Sequence, residues 1–306
     1  MTTIGLVGFG RWGRNIFRDL RSLGVVVHVA DSADEARATA LAQGAVSACA
    51  HAHALPPADG YVVAAPTVWH ADIAETLLAR GRPVFVEKPL SHDAARARRL
   101  VASAPERLFV MEKWRYHPGV EALAQQARSG ALGEVLAVRT YRLGWALPHT
   151  DVDAAWILLP HDLSIAHEIL GHLPAAHAAF SSVPARADLD MTAILRDPAG
   201  RCQVVSEIST RHPVTRRAVV VIGTRACAQF ESSCDDRIQV IDTPRAEAAP
   251  TEARTLRFEA AMPLLRELEA FVSHLHGGPP PRSSAHEGLQ VVERIAALRT
   301  LAGLAP

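Results

Sequence analysis

Short apolar runs alternate with stretches of helical period through the first third of the chain. Residues 3–7 read as a buried strand, and residues 12–23 as an amphipathic helix with Ile16, Leu20 and Leu23 on one stripe. Residues 25–30 form a second apolar run ending at Asp31, and Gly24 before it closes the helix. Residues 33–43 are helical, 61–64 extended, 70–80 helical up to Gly81, 83–86 extended, 92–104 helical and 108–111 extended. Strands alternating with helices predict a parallel, doubly wound sheet with right-handed crossovers. The pattern changes after Gly171. A helix over 119–129, a strand over 135–142 and a helix ending near Leu170 give way to short β-rich runs at 204–208, 218–222 and 238–241. No long helix separates these runs, so hairpins and a mostly antiparallel, open sheet are expected. Residues 244–252 read as a polar, alanine-rich loop. Residues 262–275 and 284–301 close the chain as helices. The last carries Leu289, Val292, Ile295 and Leu298 on one stripe, which is core packing.

Composition narrows this to an α/β protein of two domains, 1–117 and 118–306. A chain of 306 residues suits two domains better than one, and 49% hydrophobic content supplies a large core. Lys+Arg and Asp+Glu are both 32, so net charge argues for neither nucleic acid nor an anionic membrane as partner. The four cysteines, Cys49, Cys202, Cys227 and Cys234, are scattered without zinc spacing and read as thiols of a reducing compartment. No signal-type or membrane-spanning run is seen, so a cytoplasmic location is expected. His51 and His53 form an isolated pair with no acid or thiol nearby to complete a set, so no metal site is expected.

The candidate chemistry sits at strand ends. Gly8-Phe9-Gly10-Arg11-Trp12-Gly13 falls between a strand and a helix, with Asp31 at the next strand end. This is the context in which glycines let the backbone approach a pyrophosphate at a helix N-terminus. Asp31 suits the two adenosine ribose hydroxyls and repels a 2′-phosphate, which favours NAD. Arg11 offers a cation to a 2′-phosphate, so NADP stays open. Residues 1–117 are therefore the expected dinucleotide domain. The run at 83–86 ends in Glu87-Lys88-Pro89-Leu90. Pro89 keeps Lys88 out of the α region. A lysine at the carboxyl end of a strand in such a sheet points where ligands bind. Lys113 and Arg115, at another strand exit, are either ordinary exposed cations or binders of a substrate carboxylate or phosphate.

The chain resembles the Gfo/Idh/MocA oxidoreductases. The matching pieces are the glycine turn, Ala65-Pro66-Thr67 with His70, and Gly81-Arg82-Pro83-Val84-Phe85-Val86-Glu87-Lys88-Pro89-Leu90. The resemblance implies a cis peptide before Pro89. It also implies that Lys88 meets nicotinamide and substrate, and that Ala65, Pro66, Thr67, His70 and Glu87 line the cofactor. Trp114-Arg115-Tyr116-His117-Pro118 resembles the family's crossover into its second domain. The stretch around Trp156 and Pro160-His161-Asp162-Leu163-Ser164 is similar to the family's substrate helix, in wording nearest the nucleotide-sugar branch. His161 falls on that helix's histidine, while Ile157 stands where the family has an aspartate. Asp153 and Asp162 are the candidates to replace it.

The reaction this implies is hydride transfer between a nicotinamide and a secondary alcohol of a sugar or nucleotide-linked sugar. Lys88 would lower the alkoxide's energy, and His161 would accept the proton because imidazole titrates near neutral pH. Lys113, Arg115 and Asp162 would contact substrate. The alternative is a dinucleotide-binding sensor of the same fold without turnover, which Ile157 favours. The family's open sheet implies a homodimer or homotetramer.

Overall fold

The computed structural model describes residues 1–145, 151–181, 188–242 and 253–305; the expected loop at 244–252 lies outside them. The described residues form two compact units. The first comprises Met1–Lys113 and Met262–Val292, and the second Trp114–Ala261 and Glu293–Pro306.

The first unit is a six-stranded parallel sheet. Its strands are β1 (Thr3–Val7), β2 (Val26–Ala30), β3 (Ser47–Cys49), β4 (Gly60–Val63), β5 (Val84–Glu87) and β6 (Leu108–Met111), in the order β3-β2-β1-β4-β5-β6. Strands β4, β5 and β6 are buried along their whole length, as a sheet covered on both faces requires. Helices α1 (Arg11–Ser22), α2 (Asp34–Ala42), α3 (His70–Leu78) and α4 (Ala94–Ser103) make the crossovers. The strand order reverses beside β1, the place where open sheets of this kind bind ligands. Strand β3, between the second helix and residue 61, has no counterpart in the sequence pattern. It is three residues long, and His51 and His53 after it stack on each other in a short turn.

The units divide after Lys113, four residues before the expected division at residue 117, and the chain returns to the first unit. Helix α7 (Pro263–Leu275) packs with α1, and Leu264, Leu268 and Phe271 complete the core around Ile4, Leu6, Phe9 and Phe85. Phe271 meets Phe85 at 4.9 Å between ring centroids. Helix α8 (Ala285–Leu301) spans the division between Val292 and Glu293.

The second unit is built on an eight-stranded sheet in the order β14-β13-β12-β11-β7-β10-β9-β8. The strands are β7 (Val135–Trp145), β8 (Ala175–Phe180), β9 (Asp190–Arg196), β10 (Gln203–Ser209), β11 (Arg211–Gly223), β12 (Ala226–Phe230), β13 (Arg237–Asp242) and β14 (Arg254–Arg257). All pairings are antiparallel except β7 with β10, so the mostly antiparallel expectation holds. Helices α5 (Pro118–Arg128) and α6 (Ala154–Leu170) pack on one another in this unit.

Helix α6 corrects the sequence reading. The sequence pattern places 153–164 before a helix that ends near Leu170, with His161 at the helix start. The helix instead begins at Ala154, with Asp153 capping it by accepting from the Ala155 and Trp156 N–H groups, and it runs through Pro160. Thirteen of its 17 residues are buried, and that apolar burial outweighs the hydrogen bond lost at the proline. Among the described residues no helix is long and apolar enough to cross a membrane.

Truncating Phe271 tests the return of the chain to the first unit. Phe271→Ala should destabilise the protein by about 3–5 kcal/mol, read as a lower urea midpoint, because a fully buried ring is lost. A cost below about 1 kcal/mol would mean that α7 does not belong to this core.

Candidate active site

The glycine turn has the shape that a dinucleotide needs. Gly8 has φ +94°, and a Cβ there would lie 2.5 Å from the Ala64 carbonyl oxygen. A Cβ on Gly13 would lie 2.0 Å from the Gly8 carbonyl oxygen, so the helix can sit this close to the strand only with glycine. At Gly10 a Cβ would have nothing within 4 Å, and no side chain caps the helix that starts there. The first turn of α1 therefore presents backbone N–H groups to open space, which is an anion site. Phe9 differs from the other turn residues. Its ring is fully buried against Phe17 at 5.3 Å, leaving only its backbone to serve a cofactor. Arg11 is exposed and Trp12 half-buried.

Asp31 is held by the same turn. Its Oδ2 accepts from the Phe9 N–H at 2.6 Å, and its Oδ1 from the Ala33 N–H at 2.9 Å. An ionised carboxylate has about four acceptor positions, so capacity for ribose hydroxyls remains. Arg37 donates to the Asp31 and Ser32 carbonyls and pairs with Asp34. This cation beside Asp31 was missed in the sequence, where it looks like any helix-surface arginine.

The strand end at Glu87 is tied to the turn directly. Glu87 is buried. Its Oε1 accepts from the indole N–H of Trp12, and its Oε2 from the Lys88 backbone N–H at 3.1 Å. The Lys88–Pro89 peptide is cis, as the resemblance implies, and Lys88 is half-buried. The Lys113 ammonium lies 4.2 Å from the Trp12 ring centroid, a cation–π contact. His70 is 2% exposed. Its Nδ1 lies 2.7 Å from the Pro89 carbonyl oxygen, and its Nε2 lies 2.8 Å from that of Ala65. Both partners only accept, so a neutral ring donates to one of them. Burial is the largest influence on His70 and pushes its pKa down, against the two carbonyls and Glu87. The ring thus braces the Ala65-Pro66-Thr67 loop against the loop of Pro89. Pro66 is exposed at that loop, and Thr67 is half-buried at the start of a short turn into α3.

The second unit holds His161, Asp162 and Arg115. Asp162 is 1% exposed and accepts at Oδ1 from Arg142 of β7, whose Nε lies 3.0 Å and Nη2 2.9 Å away. Burial raises the Asp162 pKa, and Arg142 and then Arg217 act against it. Asp153 caps α6 and pairs with Arg299. Both acids considered as replacements for the aspartate absent at Ile157 are thus engaged with arginines. Arg115 is buried and pairs with Glu168 at 2.9 Å, so it is not the ordinary exposed cation considered above. His161 is half-buried with its ring 6.4 Å from that of Trp114, and Arg142 lies 4.8 Å over the other member of that pair, Trp114. The cluster of Trp114, Arg142 and Arg217 was not legible, since two of the three lie on strands whose pairing the sequence does not give.

Residues 2–111 match the oxidoreductase family with an NAD-binding Rossmann fold, Gfo/Idh/MocA. The matched residues are those of the six-stranded sheet and its crossover helices. Over 261 residues it is 25% identical to inositol 2-dehydrogenase of Rhizobium meliloti, an alignment covering 80% of this chain and 78% of that protein. Two solved structures share the fold across nearly the whole of both chains. UDP-N-acetylglucosamine 3-dehydrogenase from Acidithiobacillus ferrooxidans has a TM-score of 0.84 at 20% identity, covering 98% of this chain and 97% of that one. Levoglucosan dehydrogenase, in complex with NADH and levoglucosan, has 0.85 at 18%, covering 99% and 97%. The residues of this turn fit NAD: the three glycines and the uncapped helix start match a pyrophosphate, and Asp31 matches a ribose.

The His70 brace has a pH signature. A histidine whose folded pKa is lowered costs stability as the pH falls below its unfolded value of about 6.5, where only the unfolded chain takes the proton. The urea midpoint of the wild type should therefore approach that of His70→Gln as the pH drops from 7.5 to 5. A difference between the two that is constant or widens over that range would contradict a neutral, buried His70.

Proposed function

We propose that this protein is an NAD-dependent dehydrogenase acting on a secondary alcohol of a sugar, cyclic polyol or nucleotide-linked sugar. One observation carries this reading: Glu87 holds Trp12 of the glycine turn with one oxygen and the Lys88 backbone with the other. Lys88 is thereby fixed to the cofactor turn, where a lysine has a chemical reason to be. Bound NAD supplies the hydride acceptor. Gly8, Gly10, Gly13 and the first turn of α1 hold its pyrophosphate, and Asp31 its adenosine ribose. Glu87, Lys88, and the Ala65-Pro66-Thr67 loop braced by His70 line the nicotinamide end. The Lys88 ammonium stabilises negative charge developing on the substrate oxygen, and His161 takes the hydroxyl proton. Asp162 orders the segment carrying His161 through Arg142, and Lys113 and Arg115 act through Trp12 and Glu168 in the same way. Residues Met1–Lys113 with Met262–Val292 serve the cofactor, and the remainder serves substrate.

Support for the substrate class comes from the relatives, which are named for inositol, UDP-N-acetylglucosamine and levoglucosan. They are all named as dehydrogenases, and the alternative of a non-catalytic sensor draws nothing from them. Exposed Trp145, Phe180 and Val214 on strands of the open sheet support a homo-oligomer, dimer or tetramer. The free cysteines support a cytoplasmic location.

Two measurements test the reading. Lys88→Ala and His161→Ala should each lower kcat by about 10²–10⁴-fold in a turnover screen with NAD, while NADH still binds. Binding of NADH without turnover of any polyol, sugar or sugar nucleotide by the wild type would favour the sensor instead. Asp31→Ala should weaken NAD by about 1–3 kcal/mol and narrow its advantage over NADP. Tighter binding of NADP than NAD by the wild type would remove the preference assigned to Asp31.

A further inference from the structure

Neighbouring strands β5 and β6 each end in an acid. Glu87 is in register with Met111, and Glu112 follows it by one residue; both acids are buried. A third carboxyl comes from far along the chain. Leu264, Glu267, Leu268 and Phe271 occupy the i, i+3, i+4, i+7 stripe of α7, and Glu267 is the one polar member of this core-facing row. It is 1% exposed, accepts a hydrogen bond from the Glu112 backbone N–H, and its Oε1 has no hydrogen-bond partner. The charged groups that face it are Glu87 of β5, and Glu112 and Lys113 after β6.

Resting on the cofactor reading above, we infer that Glu267 is a positioning residue of the dinucleotide site: an uncharged carboxyl behind Glu87 that leaves Glu87 its charge for Trp12 and the Lys88 loop. Three carboxyls buried side by side cannot all ionise at low cost. Glu87 already accepts at both oxygens, from the Trp12 indole and from the Lys88 N–H. Glu267, the most deeply buried of the three and held by one backbone donor, is the member that keeps the proton. Burial, then Glu87 and Glu112, push its pKa well above the usual carboxylate range, against Lys113. Ionising Glu267 would set a second negative charge behind Glu87 and draw the Lys113 ammonium from the face of Trp12. The first turn of α1 would shift with Trp12, and with it the pyrophosphate seat.

The test compares wild type, Glu267→Gln and Glu267→Ala. Gln keeps the shape without a titrating proton. NADH binding by fluorescence is followed from pH 7 to 10, together with the emission of Trp12, assigned by difference from Trp12→Phe and measured without cofactor. The wild-type dissociation constant for NADH should rise by about tenfold relative to that of Glu267→Gln across this range. The Trp12 emission should move with pH in the wild type and stay flat in Glu267→Gln. Glu267→Ala, should it unfold, leaves the Gln comparison standing. Parallel pH curves for wild type and Glu267→Gln in both readouts would overturn the role of Glu267 while NADH binding still supports the cofactor site. Absence of NADH binding at every pH would overturn the cofactor reading. The Trp12 emission would then decide alone whether Glu267 positions Trp12.

Discussion

The hydrogen bond between Glu87 and the Trp12 indole is the interaction on which the rest of the site depends. A parallel sheet by itself delivers its loops to one edge but does not set their spacing. The glycine turn follows β1 and the Lys88 loop follows β5, with β4 between them in the sheet. Glu87 spans that gap, and His70 repeats the arrangement one loop across by joining Ala65 to Pro89. Both braces are buried, so each hydrogen bond is made where an unmade one would be costly. The outcome is a rigid frame in which a cofactor turn, a proline loop and a lysine move as one body.

The same logic explains why the charges are placed as they are. Among the described residues, buried Asp162 meets Arg142, buried Glu87 meets Trp12 and half-buried Asp153 meets Arg299. Removing one member of a buried ion pair costs about 3–5 kcal/mol, because it strands the other. Asp153 and Asp162 are therefore tied to structure, and neither is spare to do the work of the aspartate absent at Ile157. His161 stands beside aromatic Trp114 in that unit.

Much of the first unit was legible in the sequence. Its strands are continuous apolar runs, its helices have a clear period, and glycines and prolines mark the turns. The strand-ending residues Asp31, Glu87 and Lys88 could be assigned to one edge of the sheet by topology alone. The second unit was less legible. β8, β12 and β14 are short runs with weak alternation, and no local pattern states that β7 pairs in parallel with β10. Helix α6 starts earlier than the local pattern suggests because tertiary burial carries it through Pro160. Partners such as Arg142 for Asp162, or Glu168 for Arg115, are set by long-range packing. Glu267 is the exception: an acid inside an apolar stripe is a visible anomaly, but its meaning appears only once α7 is placed on the first unit.

A crystal structure of the protein with NADH tests the central claim most directly. The account predicts the pyrophosphate on the first turn of α1 at Gly10, the Trp12–Glu87 bond intact, and the Lys88 ammonium beside the nicotinamide ring. A pyrophosphate bound away from that turn, or a Lys88 directed away from the nicotinamide, would contradict it.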